Sequence, residues 1–173
     1  MAKTLVIYSS KYGSTRQYAE WIAEAVSADI MPVEKADAKR LSEYGTVVFG
    51  ACVYIGKMKG IDFIIRNWGA LEGKKVVVFS VSASLASSQN ADDIYQKNLP
   101  GPLREKVKYF HLSGRIGKLD MVDAALMMVP RSAARAKYEK TKSDDAKNEL
   151  ERLERFDEVD KNAIGPIVDE INR

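Results

Sequence analysis

The chain has one cysteine and one histidine in 173 residues. A lone thiol excludes an internal disulfide and fits a reducing compartment, so the cytoplasm is the expected location. One imidazole and one thiol are too few for a zinc centre, and no metal site is expected. The single His111 also leaves no Ser–His–Asp set. No apolar run approaches the roughly 18 residues of a membrane-spanning helix. The apolar run after Lys3 is too short for a signal-peptide core, so it reads as a strand. A charge excess is missing too: 27 Lys and Arg face 24 Asp and Glu, a net +3. That balance gives no indication of a nucleic-acid partner, and no aromatic–basic interleaving supports one. Internal repeats and long low-complexity linkers are absent.

What is present is an ordinary globular composition, 46% hydrophobic, at a length that suits one domain with a sizeable core. The stretch Ser9-Ser10-Lys11-Tyr12-Gly13-Ser14-Thr15 follows a short apolar run at 5–8. It precedes Tyr18, Trp21, Ile22, Ala25 and Val26, apolar positions with helical spacing. A strand therefore runs through this loop into a helix N-terminus, where unpaired N–H groups and the helix dipole favour an anion such as phosphate. Gly13 permits close backbone approach, and Ser10, Ser14 and Thr15 add hydroxyl donors. The simpler alternative is an ordinary N-cap, with Ser14 or Thr15 capping the helix.

Further apolar runs at 30–33, 46–51, 75–81 and 107–112 predict four more strands, and Pro32 assigns the first of these to a sheet edge. Helical patterns lie between them, at 60–70 and more weakly at 91–99. Alternation of strand and helix predicts an α/β fold: a doubly wound, five-stranded parallel sheet in the order 2-1-3-4-5, with helices on both faces. The ligand site is then expected beyond the strands' carboxyl ends. Residues 1–173 form a single domain on this reading, with an extra helical segment at about 119–155 before the C-terminal helix. Pro130 should end or kink the first part of that segment, and Gly165-Pro166 should kink or delay the last helix. The segment mixes Met121, Met127 and Met128 with Arg131, Arg135 and Lys137, which suggests a surface for a partner or an anionic membrane. The competing reading is a helix packed on its own core.

Three loops converge on the expected site: the first loop, the stretch from Cys52 to Lys59, and the stretch from Ser82 to Ser88. Tyr54 lies where a planar ring could stack, and Gly56 serves at least as a turn residue. Cys52 and His111 read as packing residues.

These residues resemble a family. Ser10-Lys11-Tyr12-Gly13-Ser14-Thr15 looks like the FMN-phosphate loop of flavodoxins. Val48 to Gly56 looks like the strand and ring-contacting loop of the flavodoxin-domain branch that includes the quinone-linked protoporphyrinogen dehydrogenases. Leu103 to Leu112 and the Met-bearing helix after it resemble the same branch. The resemblance implies a flavodoxin-like fold, one non-covalent FMN, and one- or two-electron transfer. It places Ser10, Tyr12, Gly13, Ser14 and Thr15 at the phosphate, with Ser9 and Lys11 among the cofactor-binding residues of the same loop. Ala51, Cys52, Val53, Tyr54, Ile55 and Gly56 fall at the flavin ring, and Ser82, Ala83 and Ser84 line its other side. A redox carrier serving partner proteins is the first functional expectation. An FMN-dependent protoporphyrinogen IX dehydrogenase passing electrons to a quinone is the second, and a flavin-free interaction module is the third. No Asp or Glu occurs from Cys52 to Ile61 or from Ser82 to Asn90, which predicts a less negative flavin potential than an acid-ringed site would have.

Overall fold

A computed structural model describes residues 3–82, 91–116 and 119–173. Among them the strands are β1 (Thr4–Ser9), β2 (Asp29–Pro32), β3 (Thr46–Tyr54), β4 (Lys57–Met58), β5 (Lys75–Ser82) and β6 (Lys108–Ser113). The helices are α1 (Ser14–Val26), α2 (Ala38–Ser42), α3 (Ile61–Arg66), α4 (Trp68–Leu71), α5 (Ala91–Asn98), α6 (Gly101–Arg104), α7 (Met121–Thr141), α8 (Asp144–Arg155) and α9 (Gly165–Asn172). The parallel strands lie in the order β2-β1-β3-β5-β6, which is the expected doubly wound order. Strand β4 is an addition, an antiparallel ribbon that pairs only with the end of β3.

The apolar runs form central strands because both of their faces are covered. Along β1, Leu5 and Ile7 point to one core while Val6 points to the other. The same period-two division holds in β3 and β5: Val47, Phe49, Val76 and Val78 on one side, Val48, Val77 and Phe79 on the other. Helix α1 seals the second face with Tyr18 and Ile22, and α9 joins it with Ile167 and Ile171. Gly50 pairs in register with Phe79, whose ring lies over it. An added Cβ at Gly50 would sit 2.3 Å from that ring, so the central strands pack here only because one residue has no side chain. Pro32 ends the edge strand β2, where the missing N–H costs no ladder bond.

Three local expectations change. The helical stretch at 60–70 is two short helices, α3 and α4, divided at Asn67. Helix α7 does not stop at Pro130 but runs through it for 21 residues. Pro130 lies on the exposed side, where water can take up the carbonyl bond that its ring removes. Beyond it α7 is held by α8: Arg131 donates to the Leu153 carbonyl at 3.0 Å, Arg135 pairs with Glu154 at 2.7 Å, and Lys137 pairs with Glu149 at 2.7 Å. The basic residues expected to face a partner thus also pair with α8, while Arg135 and Lys137 keep more than half of their side-chain surface exposed. Finally, β3 continues through Cys52, Val53 and Tyr54, so half of the expected ring loop is strand. Helix α9 begins late, at Gly165, with Pro166 in its first turn.

Candidate functional site

The carboxyl ends of β1, β3 and β5 open on a cavity of about 390 Å³, lined in part by Thr15, Tyr54, Gly56, Ser82 and Met127. Its first wall is the turn from β1 into α1. Gly13 stands at the N-cap with φ 91°, in the left-handed region that favours glycine. No side chain caps α1, and no acid lies in its first turn. Ser14 and Thr15 are inside the helix and do not cap it. The simple capping alternative is therefore not the local arrangement. Ser10 Oγ accepts from the Gly13 N–H at 3.1 Å, and Ser14 Oγ accepts from the Arg115 N–H at 3.2 Å. Thr15 Oγ1 is buried and has no hydrogen-bond partner among the described residues. A buried hydroxyl without a partner is costly unless something else satisfies it.

The second wall is the β3–β4 ribbon. Tyr54 pairs with Lys57 across a two-residue turn, Ile55-Gly56, both at positive φ (49° and 74°). Two successive left-handed residues match the twist of a tight hairpin. Ile55 is an unusual choice there, and its side chain is 77% exposed at the cavity mouth. Asn98 holds the ribbon from below, accepting from the Met58 N–H at 2.8 Å and donating to the Gly56 carbonyl at 2.9 Å. Cys52 is half-buried, and burial pushes its thiol pKa up, as suits a packing residue rather than a redox thiol.

On the third side Ser82 Oγ lies 3.1 Å from His111 Nε2, and Ser80 Oγ lies 2.7 Å from His111 Nδ1. Burial lowers the His111 pKa, which favours the neutral ring within this packed set of Ser80, Ser82 and His111. Ala83 and Ser84 lie outside the described residues.

Sequence reasoning missed the fourth wall. Asp123, in the first turn of α7, turns its carboxylate into the cavity. It accepts from Lys11 Nζ at 2.6 Å, from Tyr54 OH at 2.6 Å and from Tyr12 OH. Lys11 also pairs with Asp120 at 3.1 Å, and its ammonium sits 4.0 Å from the centre of the Tyr54 ring. Burial pushes the Asp123 pKa up, but the three donors outweigh it and hold the value down to about 2. The Lys11 pKa is raised, chiefly by its hydrogen bond to Asp123. So the side chains of Tyr12, expected at the phosphate, and of Lys11, expected among the cofactor-binding residues, are directed to Asp123. The ring loop contains no acid of its own, but the fold brings one to it. One sequence signal could have found Asp123: it is the only charged residue from Met121 to Pro130.

Comparison with known proteins agrees with this architecture. A family model described as flavodoxin domain matches residues 5–137. An uncharacterized protein of Methanocaldococcus jannaschii is 28% identical over 81 residues, 46% of this chain and 54% of the relative. The match thus spans about half the length of that curated relative. The solution structure of two-electron reduced Megasphaera elsdenii flavodoxin is 17% identical and covers 64% of this chain and 82% of its own, with a TM-score of 0.50. A flavodoxin from the domain Archaea is 16% identical and covers 96% and 99%, with a TM-score of 0.46. On the breadth of the match to the domain model, together with the sheet order, this chain belongs to the flavodoxin-domain family.

Proposed function

We propose that the protein binds one FMN without a covalent link and carries electrons between partner proteins. The observation behind this reading is the Thr15 hydroxyl, which has no hydrogen-bond partner among the described residues and is buried at an uncapped helix N-terminus that opens on the cavity. A phosphate would satisfy that hydroxyl and the free N–H groups of the first turn together. The residues fit the group: Gly13 leaves open space where a Cβ would stand, and Ser10, Ser14 and Thr15 can each donate a hydroxyl proton. Tyr54 and the turn at Gly56 would border the ring, with Ser82 on the far side. When bound, the flavin supplies the one- or two-electron chemistry, while the protein orients it and sets its potential.

A yellow purified protein that releases FMN on denaturation is the expected result, and a colourless protein that does not take up FMN would sink this reading. Thr15→Ala carries a sharper expectation. Removing an unsatisfied hydroxyl should leave the apo protein as stable as before or more so, yet lower FMN affinity about tenfold. Urea unfolding of the apo protein and FMN titration measure the two effects. A parallel loss in both would mean that the hydroxyl serves packing.

The lysines of the β3–β4 ribbon should tune the potential. Lys57 and Lys59 are exposed, and Lys59 Nζ lies 5.5 Å from the Tyr54 ring centre. Cations near the ring favour an anionic reduced flavin. Lys57→Glu with Lys59→Glu should move the flavin's lower one-electron potential to more negative values, by roughly 30–60 mV at low salt and less at high salt. A redox titration that finds no change, or a positive one, would rule out tuning by this ribbon.

A second reading is favoured by the apolar mouth. Ile55 is 77% exposed, and Leu126, which lines the cavity, is 57% exposed. Such a rim suits a bulky apolar reductant or a quinone, as in a protoporphyrinogen IX dehydrogenase. Porphyrinogen turnover with added quinone separates this enzyme from a carrier.

A further inference from the structure

The first two turns of α7 are oriented against the usual burial rule. Met121, Val122, Leu126, Met128 and Val129 are all more than half exposed, while the only charged residue among them, Asp123, is buried. Apolar burial alone would turn this helix the other way. What holds it is the carboxylate. Its two oxygens accept from three side chains that come from two separate parts of the chain: Lys11 and Tyr12 in the loop after β1, and Tyr54 at the end of strand β3. An ionised carboxylate has about four acceptor sites, so the set is nearly satisfied and the burial is compensated. Asp120 caps the same turn by accepting from the Asp123 N–H at 2.8 Å, so the helix N-terminus also favours the negative charge.

We propose that Asp123 is a positioning residue for the cofactor cavity: its carboxylate fixes the Tyr54 ring and the Lys11 ammonium, and so docks α7 as the cavity's outer wall. This rests on the flavin reading of the cavity. The consequence for that site is a division of labour. The phosphate is left to backbone N–H groups and the hydroxyls of Ser10, Ser14 and Thr15. The charge of Lys11 is carried to the ring end, onto a face of Tyr54. Leu126 and Met127 then form part of the cavity wall.

The test compares wild type with Asp123→Asn, Asp123→Ala and Tyr54→Phe, each checked for folding by far-UV circular dichroism. FMN and riboflavin are the probes. Asp123→Ala should weaken both by a similar factor, about tenfold, because the residue acts on the ring and not on the phosphate. Most of that loss should appear as faster dissociation. Asp123→Asn, which keeps an acceptor for Tyr54 but removes the charge, should retain more affinity than the alanine variant. It should also shift the flavin potential to less negative values, a change that a purely structural role would not produce. In the apo protein, amide exchange in 121–129 should be faster in Asp123→Ala and in Tyr54→Phe than in wild type. If wild type binds FMN while the Asp123 variants keep its affinity, dissociation rate and potential, the positioning role is overturned and the flavin reading stands. If wild type binds neither FMN nor riboflavin, the flavin reading itself fails. A loss for FMN alone would overturn the proposal too, since it would place Asp123 at the phosphate.

Discussion

Gly13→Val should weaken FMN binding about a hundredfold and riboflavin binding far less. Two costs combine. Gly13 holds φ 91°, where an L-residue is strained by roughly 1–2 kcal/mol and a β-branched one is worse placed still. The strained loop would relax away from the geometry that aims the first-turn N–H groups of α1. The second cost concerns the ligand alone. Among the described residues, no atom outside Gly13 and its chain neighbours lies within 4 Å of the position that a Cβ would take, so the new side chain faces the cavity and whatever occupies it. A phosphate drawn up to the backbone would meet it directly. Titrations of apo protein with FMN and with riboflavin measure the difference. Equal losses for both ligands would show that this loop does not hold a phosphate.

The second large effect is on stability. Gly50→Ala puts a methyl carbon 2.3 Å from the Phe79 ring, in the register pair at the centre of the sheet. Phe79 is fully buried against Val48 and Val77 and has little room to move aside. Overpacking typically costs about 1–3 kcal/mol, and a contact this close between central strands should lie at the upper end. Against a usual total of about 5–15 kcal/mol this is a large fraction. The midpoint of urea unfolding should fall accordingly. Phe79→Leu in the same chain should recover part of the loss, because the two residues share one space and their effects cannot add. A double variant as unstable as the sum of the single ones would mean that the glycine is needed for some other reason.

Much of this protein was readable along the chain. The apolar runs in β1, β3 and β5 are continuous because both faces of those strands are covered, and such runs carry their own signal. Sheet order followed from the alternation of strand with helix and from the anion-suited turn after the first strand. The loop from Ser9 to Thr15 was legible because its requirement is local: a glycine at positive φ and hydroxyls at a helix start lie within one turn of each other. Pro130 does not end α7, because proline's rule concerns the isolated helix. Here α8 supplies packing and ion pairs that carry α7 past the break.

The chain by itself determined the five parallel strands and the anion-suited turn, which depend on neighbours in sequence and on period-two or period-3.6 patterning, and their order, which follows from the alternation of strand with helix. Only the tertiary structure decided how the cavity is closed. Asp123 lies 112 residues from Lys11 and 69 from Tyr54, and no local rule links a helix's lone acid to two residues so distant. The orientation of α7 is likewise a tertiary result. Its pattern alone would bury Met121 and Met128, but the three donors at the carboxyl ends of β1 and β3 make it more favourable to bury the carboxylate and leave those methionines outside.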